Sequence, residues 1–241
     1  MKKNMTVLAA LFCGAASVAL ADTASYTFGN GTLSTENDVL SVSSTLVQED
    51  TNSALGTDNV SWQDYSGSYI TLASDFPLEV ASGAFIPNIN VGNGYDWKLT
   101  FTLTNNSQAK VTVTGLTFDA FSCTTGGASQ ATTNKDTIFY VTASTTASAS
   151  YTGEQNTDIP GSTDFVHPAF DMTTSALELG AGETVTLSIW AGRDPETSTG
   201  GAIIGLTNLG VSYTPVSVPE PATATLSLLA LAGLCARRRR K

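Results

Sequence analysis

Apolar and polar positions alternate with period two through most of this chain. From Tyr95 to Thr104 the residues Tyr95, Trp97, Leu99, Phe101 and Leu103 alternate with Asp96, Lys98, Thr100, Thr102 and Thr104, which is the pattern of a strand with one face buried. Asn105 to Gln108 supply turn chemistry. Lys110 to Thr114 then alternates again, Gly115 shifts the phase, and Leu116 and Phe118 resume it. This predicts a hairpin whose second strand carries a bulge at Gly115. Further strands are expected at Ser25–Phe28, Val39–Val47, Tyr69–Leu72, Ile138–Ala143, Glu183–Trp190 and Ala202–Tyr213. In the last of these the apolar set Ile204 and Leu206 passes to Leu209, Val211 and Tyr213 across Thr207 and Asn208, which predicts a kink.

A sustained helical stripe is missing from the body of the chain; only Ser175–Leu179, before Gly180-Ala181-Gly182, suggests a single turn. The Thr/Ser/Ala-rich stretch Thr142–Thr152 reads as a mobile loop, or as an acceptor of O-linked sugar. Strands with one apolar face and one face of Thr, Ser and Asp hide the apolar side by packing two sheets together. The expected fold is therefore all-β: an antiparallel, jelly-roll-like β-sandwich of eight or nine strands over residues 22–214.

Both ends read as addresses. Met1 to Ala21 has a basic start at Lys2 and Lys3, an apolar stretch, and Ala19-Leu20-Ala21 before Asp22; this is the form of a secretory signal peptide cut by signal peptidase after Ala21, with Ala19 and Ala21 as the small residues of the cleavage site. At the other end, residues 215–241 contain Pro219-Glu220-Pro221, an uncharged apolar run from Ala222 to Ala236, and then Arg237, Arg238, Arg239, Arg240 and Lys241. As a helix the run spans ~22 Å against a hydrocarbon core of ~30 Å, so insertion is marginal and is helped by cations that reach the interface. The positive-inside rule puts the Arg cluster in the cytoplasm and the main domain outside it. A plain tail anchor explains the helix and the cations but leaves Pro219-Glu220-Pro221 without a role.

The ordered trio of Pro-Glu-Pro, short apolar helix and Arg cluster resembles the PEP-CTERM sorting signal of bacteria. The resemblance covers about the last 25 residues, the 217–241 stretch of the chain. It implies recognition by exosortase, a membrane-embedded cysteine protease acting near the Pro-Glu-Pro motif, and an association with exopolysaccharide production. The strand order Trp97–Thr104, Val111–Phe118, Val185–Trp190 and Ile204–Tyr213 is also similar to the lectin-like sandwiches that form the bodies of many secreted proteins bearing this signal.

Charge removes one class of partner. Between Asp22 and Val218 the basic residues are 4 (Lys98, Lys110, Lys135, Arg193) against 20 acidic ones, a balance of 4 − 20 = −16, whereas a nucleic-acid partner needs a basic footprint. Without the two ends Cys123 is the only cysteine and His167 the only histidine, so no intramolecular disulfide forms and a Cys/His nucleophile lacks parts. His167 has Asp164 three residues before and Asp171 four after, a set able to bind metal or hold a general base but read as a loop histidine. No cofactor is expected; structural calcium is the one candidate metal, at Gly56-Thr57-Asp58-Asn59 with Asp64, or at Asn90 to Asp96. Trp97 falls in phase with the core. Trp190 falls out of phase with Val185, Leu187 and Ile189, and with Trp62 it is a candidate sugar platform. The sequence thus points to a non-enzymatic, exported structural or adhesive protein of the cell surface or extracellular matrix. A lectin-like carbohydrate-binding module is the alternative, and a glycan-active enzyme, which needs two facing carboxylates, is the third.

Overall fold

A computed structural model of the chain describes residues 20–29, 32–43, 47–51, 63–64, 72–78, 80, 83–87, 90–91, 96–124, 126–129, 135–193 and 202–216. The strands in chain order are β1 (Asp22–Phe28), β2 (Leu33–Ser34), β3 (Leu40–Val42), β4 (Val47–Thr51), β5 (Gln63–Asp64), β6 (Asn90–Val91) and β7 (Asp96–Asn105). They continue with β8 (Val111–Cys123), β9 (Lys135–Thr145), β10 (Ser150–Ile159), β11 (Ala169–Asp171), β12 (Leu177–Leu179), β13 (Thr184–Arg193) and β14 (Ala202–Pro215), with one 3-10 turn at Thr173–Ser175. Sheet one has the order β11-β8-β14-β1-β2, with β12 also on β8 and β6 on β14; sheet two has the order β10-β9-β13-β7-β4-β5, with β3 also on β7. Every pairing among the described strands is antiparallel. The fold is the expected all-β, jelly-roll-like sandwich.

The alternation seen in the sequence becomes the core between the sheets. Sheet two turns Trp97, Leu99, Phe101 and Leu103 of β7, Phe139, Val141 and Ala143 of β9, and Val185, Leu187, Ile189 and Ala191 of β13 inward. They meet Val111, Val113, Leu116 and Phe118 of β8, Tyr26 of β1, and Leu206, Leu209, Val211 and Tyr213 of β14. Phe118 and Phe139 cross between the layers edge to face, with ring centroids 5.2 Å apart at 73°. A satellite cluster of Ile86, Phe121, Cys123 and Ile203, with Phe76 and Phe165 packed against it, covers the end of β8 from outside the main core.

Three expectations need correction. The stretch 97–118 does not form a hairpin: β7 belongs to sheet two and β8 to sheet one. The Asn105–Lys110 turn is an arch between layers, held because the buried Asn105 amide donates to the carbonyls of Ala109 (2.8 Å), Leu179 (3.0 Å) and Gly180 (3.1 Å). Alternation demands only that both strands face one core, and two facing sheets meet that demand as well as one sheet does. The stretch Thr142–Thr152 is not a mobile loop; β9 runs to Thr145, turns, and returns as β10, paired from Ser150↔Ser144 to Ile159↔Lys135. Its composition misleads because β10 is an edge strand, and its inward positions Tyr151, Gly153, Gln155 and Thr157 are only partly covered. Finally, the turn expected at Ser175–Leu179 divides into the 3-10 turn and strand β12.

Two irregularities expected from the sequence are present. The β8–β14 register passes from Ser212↔Gly115 to Tyr213↔Val113, leaving one extra residue on β8 at the predicted bulge. It also slips between Thr207 and Gly210, and there Asn208 adopts a left-handed backbone with φ 50°, which Asn tolerates better than most residues. The Val39–Val47 strand appears as β3 and the start of β4; Tyr69–Thr71 lies outside the described residues, and Leu72 is not in a strand. Among the described residues no helix is long and apolar enough to cross a membrane, and the sorting helix expected within residues 222–236 lies outside them.

Candidate functional site

The outer face of sheet two gathers the most side-chain chemistry. Across β7, β13, β9 and β10 the register lines up Lys98, Trp190, Tyr140 and Glu154 in one row, then Thr100, Ser188, Thr142 and Thr152, then Thr102, Thr186, Ser144 and Ser150. Neighbours along a row stand ~4.8 Å apart and successive rows ~6.7 Å apart on any pleated sheet. Two cross-strand pairs are hydrogen bonded, Thr100 Oγ1 to Ser188 Oγ at 2.9 Å and Thr102 Oγ1 to Thr186 Oγ1 at 3.2 Å. Toward the β10 edge Ser144, Ser150 and Thr152 are exposed. These rows form a nearly uncharged face of hydroxyls bounded by an aromatic and charged row; Ser188 is buried, Thr100, Thr102, Thr142 and Thr186 are partly covered, and Ser144, Ser150 and Thr152 are the open ones, each able to donate and accept.

Trp190 departs from expectation. Its phase does place it on the outer face, yet it is only 9% exposed. Tyr140 meets it edge-on, with centroids 5.3 Å apart at 65°, and Lys98 Nζ sits over the ring at 5.2 Å, a cation–π geometry. It is a covered ring within a cluster, not an open stacking platform. Trp62, the other candidate platform, lies outside the described residues.

A second constellation sits on sheet one. Asp119 of β8 accepts from Asn208 Nδ2 at 2.6 Å through Oδ2, and its Oδ1 lies 2.6 Å from His167 Nδ1. The His167 side chain is 70% exposed and that of Asp119 19%. His167 is brought there by the extended segment before β11, where Val166 and Ala120 exchange backbone hydrogen bonds. The alternative set aside in favour of a loop histidine, a grouping of His167 with Asp164 and Asp171, does not form among the described residues. Asp164 accepts from the Phe165 amide. Asp171 accepts from the Thr173 amide, and that bond holds its carboxyl below the usual range. Spacings of three and four residues converge on a helix face, whereas this segment is extended. No local spacing points to Asp119 or Asn208 as partners of His167, although Asp119 holds a polar phase of its strand and Asn208 marks the predicted kink.

Cys123 is a buried free thiol that desolvation pushes up to about 12, so it stays protonated and unreactive at neutral pH. Of the calcium candidates, Thr57, Asp58 and Asn59 lie outside the described residues, as do 92–95. Among the described residues no group of three or more His, Cys, Asp or Glu side chains gathers to hold a metal ion.

The two ends leave the sandwich from adjacent strands. β1 begins at Asp22, directly after Ala21, and β14 stops at Pro215; Asp22 pairs with Tyr213. Ala19, Pro219, Glu220, Pro221, Arg237, Arg238, Arg239 and Arg240 lie outside the described residues. The PEP-CTERM protein-sorting motif matches residues 217–241. The chain ends in a PEP-CTERM sorting signal. Export and sorting by an exosortase follow from that motif, and it begins two residues beyond β14. No curated protein matches the chain. Solved structures similar to it include TmCBM61 in complex with β-1,4-galactotriose, at 9% identity over 80% of this chain and 86% of that one, with a TM-score of 0.32. The enzymatically active domain of tailspike protein 4 of bacteriophage CBA120 matches at 15% identity over 71% of this chain and 19% of that one, TM-score 0.35. A structure of infectious bursal disease virus, Gx strain, matches at 11% identity over 84% and 57%, TM-score 0.32.

Proposed function

We propose that the sandwich is a non-enzymatic structural or adhesive module, held transiently at the membrane by its tail and then displayed at the cell surface or in the extracellular matrix against exopolysaccharide. The observation that carries this reading is the hydroxyl plane on sheet two, where Thr100, Ser188, Thr142 and Thr152 stand beside Thr102, Thr186, Ser144 and Ser150. A surface of donor-acceptor hydroxyls matches sugar hydroxyls in hydrogen-bonding capacity while adding no charge. Its extent over four strands suits many weak contacts along a polymer, where multivalency compensates for small single affinities. Signal peptidase and exosortase are the processing partners in this account.

The test is co-sedimentation of the mature protein with exopolysaccharide from the producing cells. Replacing Ser144, Ser150 and Thr152 together by Ala, Ala and Val keeps strand propensity and shape while removing the most exposed hydroxyls. Several-fold weaker co-sedimentation is expected, and unchanged binding in a folded variant would refute the role of this face. The same hydroxyl rows also serve a second reading, a lectin-like module, with the covered Trp190 beside them as a reporter rather than a platform; saturable binding of a short oligosaccharide with a change in Trp190 fluorescence would favour it.

A further inference from the structure

The strand directions sort the two ends of the sandwich. Asp22, Asn105, Val111, Thr145, Ser150, Thr184 and Pro215 are the termini at one end; Phe28, Asp96, Cys123, Lys135, Ile159, Arg193 and Ala202 are those at the other. The first end is stitched together by backbone hydrogen bonds from turn to turn. The Val216 amide donates to Lys110 O (2.7 Å), the Asn106 amide to Val39 O (2.9 Å), the Gly182 amide to Asn105 O (2.7 Å), and the Thr146 amide to Thr184 O (3.1 Å). The start of the domain joins the same belt, because Tyr213 Oη donates to Asp22 Oδ2 at 3.1 Å.

We propose that this stitched end is the surface that faces the bilayer while the precursor is tethered, with the Cys123 and Arg193 end presented outward. The proposal rests on insertion of the tail before processing, as put forward above. The apolar run starts at Ala222, six residues after Val216, so the connection reaches at most about 20 Å. β14 carries the chain 14 residues from the far end to this one, about 40 Å at the rise of a strand. The tether is therefore too short to let the far end approach the membrane in an upright domain. Two features favour the upright pose. The belt of hydrogen bonds makes that end a rigid platform. The domain's balance of −16 repels an anionic leaflet at distances within a Debye length, which disfavours lying on either sheet face.

The test uses the full chain with Cys13→Ser and Cys235→Ser, which leaves only the buried Cys123 thiol. It carries one fluorophore at either Ala181→Cys, exposed in a turn of the stitched end, or Thr163→Cys, exposed beyond β10 at the far end. Each is reconstituted into phosphatidylethanolamine–phosphatidylglycerol vesicles containing a headgroup-labelled acceptor lipid. Energy transfer several-fold stronger from position 181 than from position 163 is expected. Equal or reversed transfer in protein that floats with the vesicles would overturn the orientation alone. Protein that does not float would overturn tail insertion, and the orientation with it.

Discussion

Phe118→Ala perturbs the contact that joins the two layers. The ring is 1% exposed. It meets Phe139 of the other sheet at 5.2 Å and stacks on Phe170 at 6.1 Å and 23°. An aromatic side chain of this kind buries ~150–200 Å², and at ~25 cal/mol per Å² its removal costs ~4–5 kcal/mol. Measured truncations of buried Phe fall at about 3–5 kcal/mol, including the cavity left behind. Against a total stability of about 5–15 kcal/mol that is a large fraction. Urea denaturation followed by far-ultraviolet circular dichroism reads it directly: with a slope of about 2.5 kcal/mol per M, the midpoint should fall by about 1–2 M at unchanged slope. The adjacent Thr117, exposed on the opposite face, provides the control, and Thr117→Ala should stay within about 0.5 kcal/mol. A midpoint shift below about 0.4 M for Phe118→Ala, equivalent to less than about 1 kcal/mol, would refute a core built by packing these two sheets through Phe118.

Three further outcomes follow from buried polar chemistry. Asn105→Asp sets a carboxylate against the carbonyls of Ala109, Leu179 and Gly180, all acceptors, and should cost about 3–5 kcal/mol at neutral pH; the deficit should shrink in acid as the carboxyl protonates, read by denaturation at pH 7 and pH 4. Cys123 should resist alkylation in the native protein and react once unfolded. Its folded pKa is raised from an ordinary value near 9 to about 12, and burial also raises that of Tyr26. Both groups are protonated in both states below about pH 9, so their contribution is fully present there. As pH climbs from about 9 toward 12 the unfolded chain loses these protons first and stability falls. Cys123→Ala should lose less stability than the parent between pH 8 and pH 11, and an equal loss would contradict the burial argument.

Alternation made the inward set of β7, β8, β13 and β14 legible, because a residue's phase on a strand fixes which face it joins. Gly115 and Asn208 were legible as irregularities for the same reason: a phase change in the apolar set has to be absorbed by an extra residue. Phase says nothing about which strand lies alongside, so the Asn105 arch looked like a hairpin, and the bonds that define it come from Leu179 and Gly180, far along the chain. β10 escaped notice because an edge strand need not bury its inward face, and Gly153, Gln155 and Thr157 carry no apolar pattern. For Trp190 the face was right and the exposure wrong, since cover comes from Lys98 and Tyr140 on neighbouring strands. The partner of His167 is 48 residues away at Asp119, beyond any local spacing argument. The sorting motif, in contrast, is read as linear sequence, so order and composition identify it without a fold.

Removal of both addresses around a domain that starts with β1 and ends with β14 is read by intact-mass spectrometry of the protein recovered from the cell surface. The expected chain begins at Asp22 and ends near Pro219, without Arg237 to Lys241, and a variant with Pro219, Glu220 and Pro221 replaced by Ala is expected to stay full-length at its C-terminus in the membrane. Surface protein that keeps Met1 or Lys2, or that still carries the Arg cluster, would contradict it.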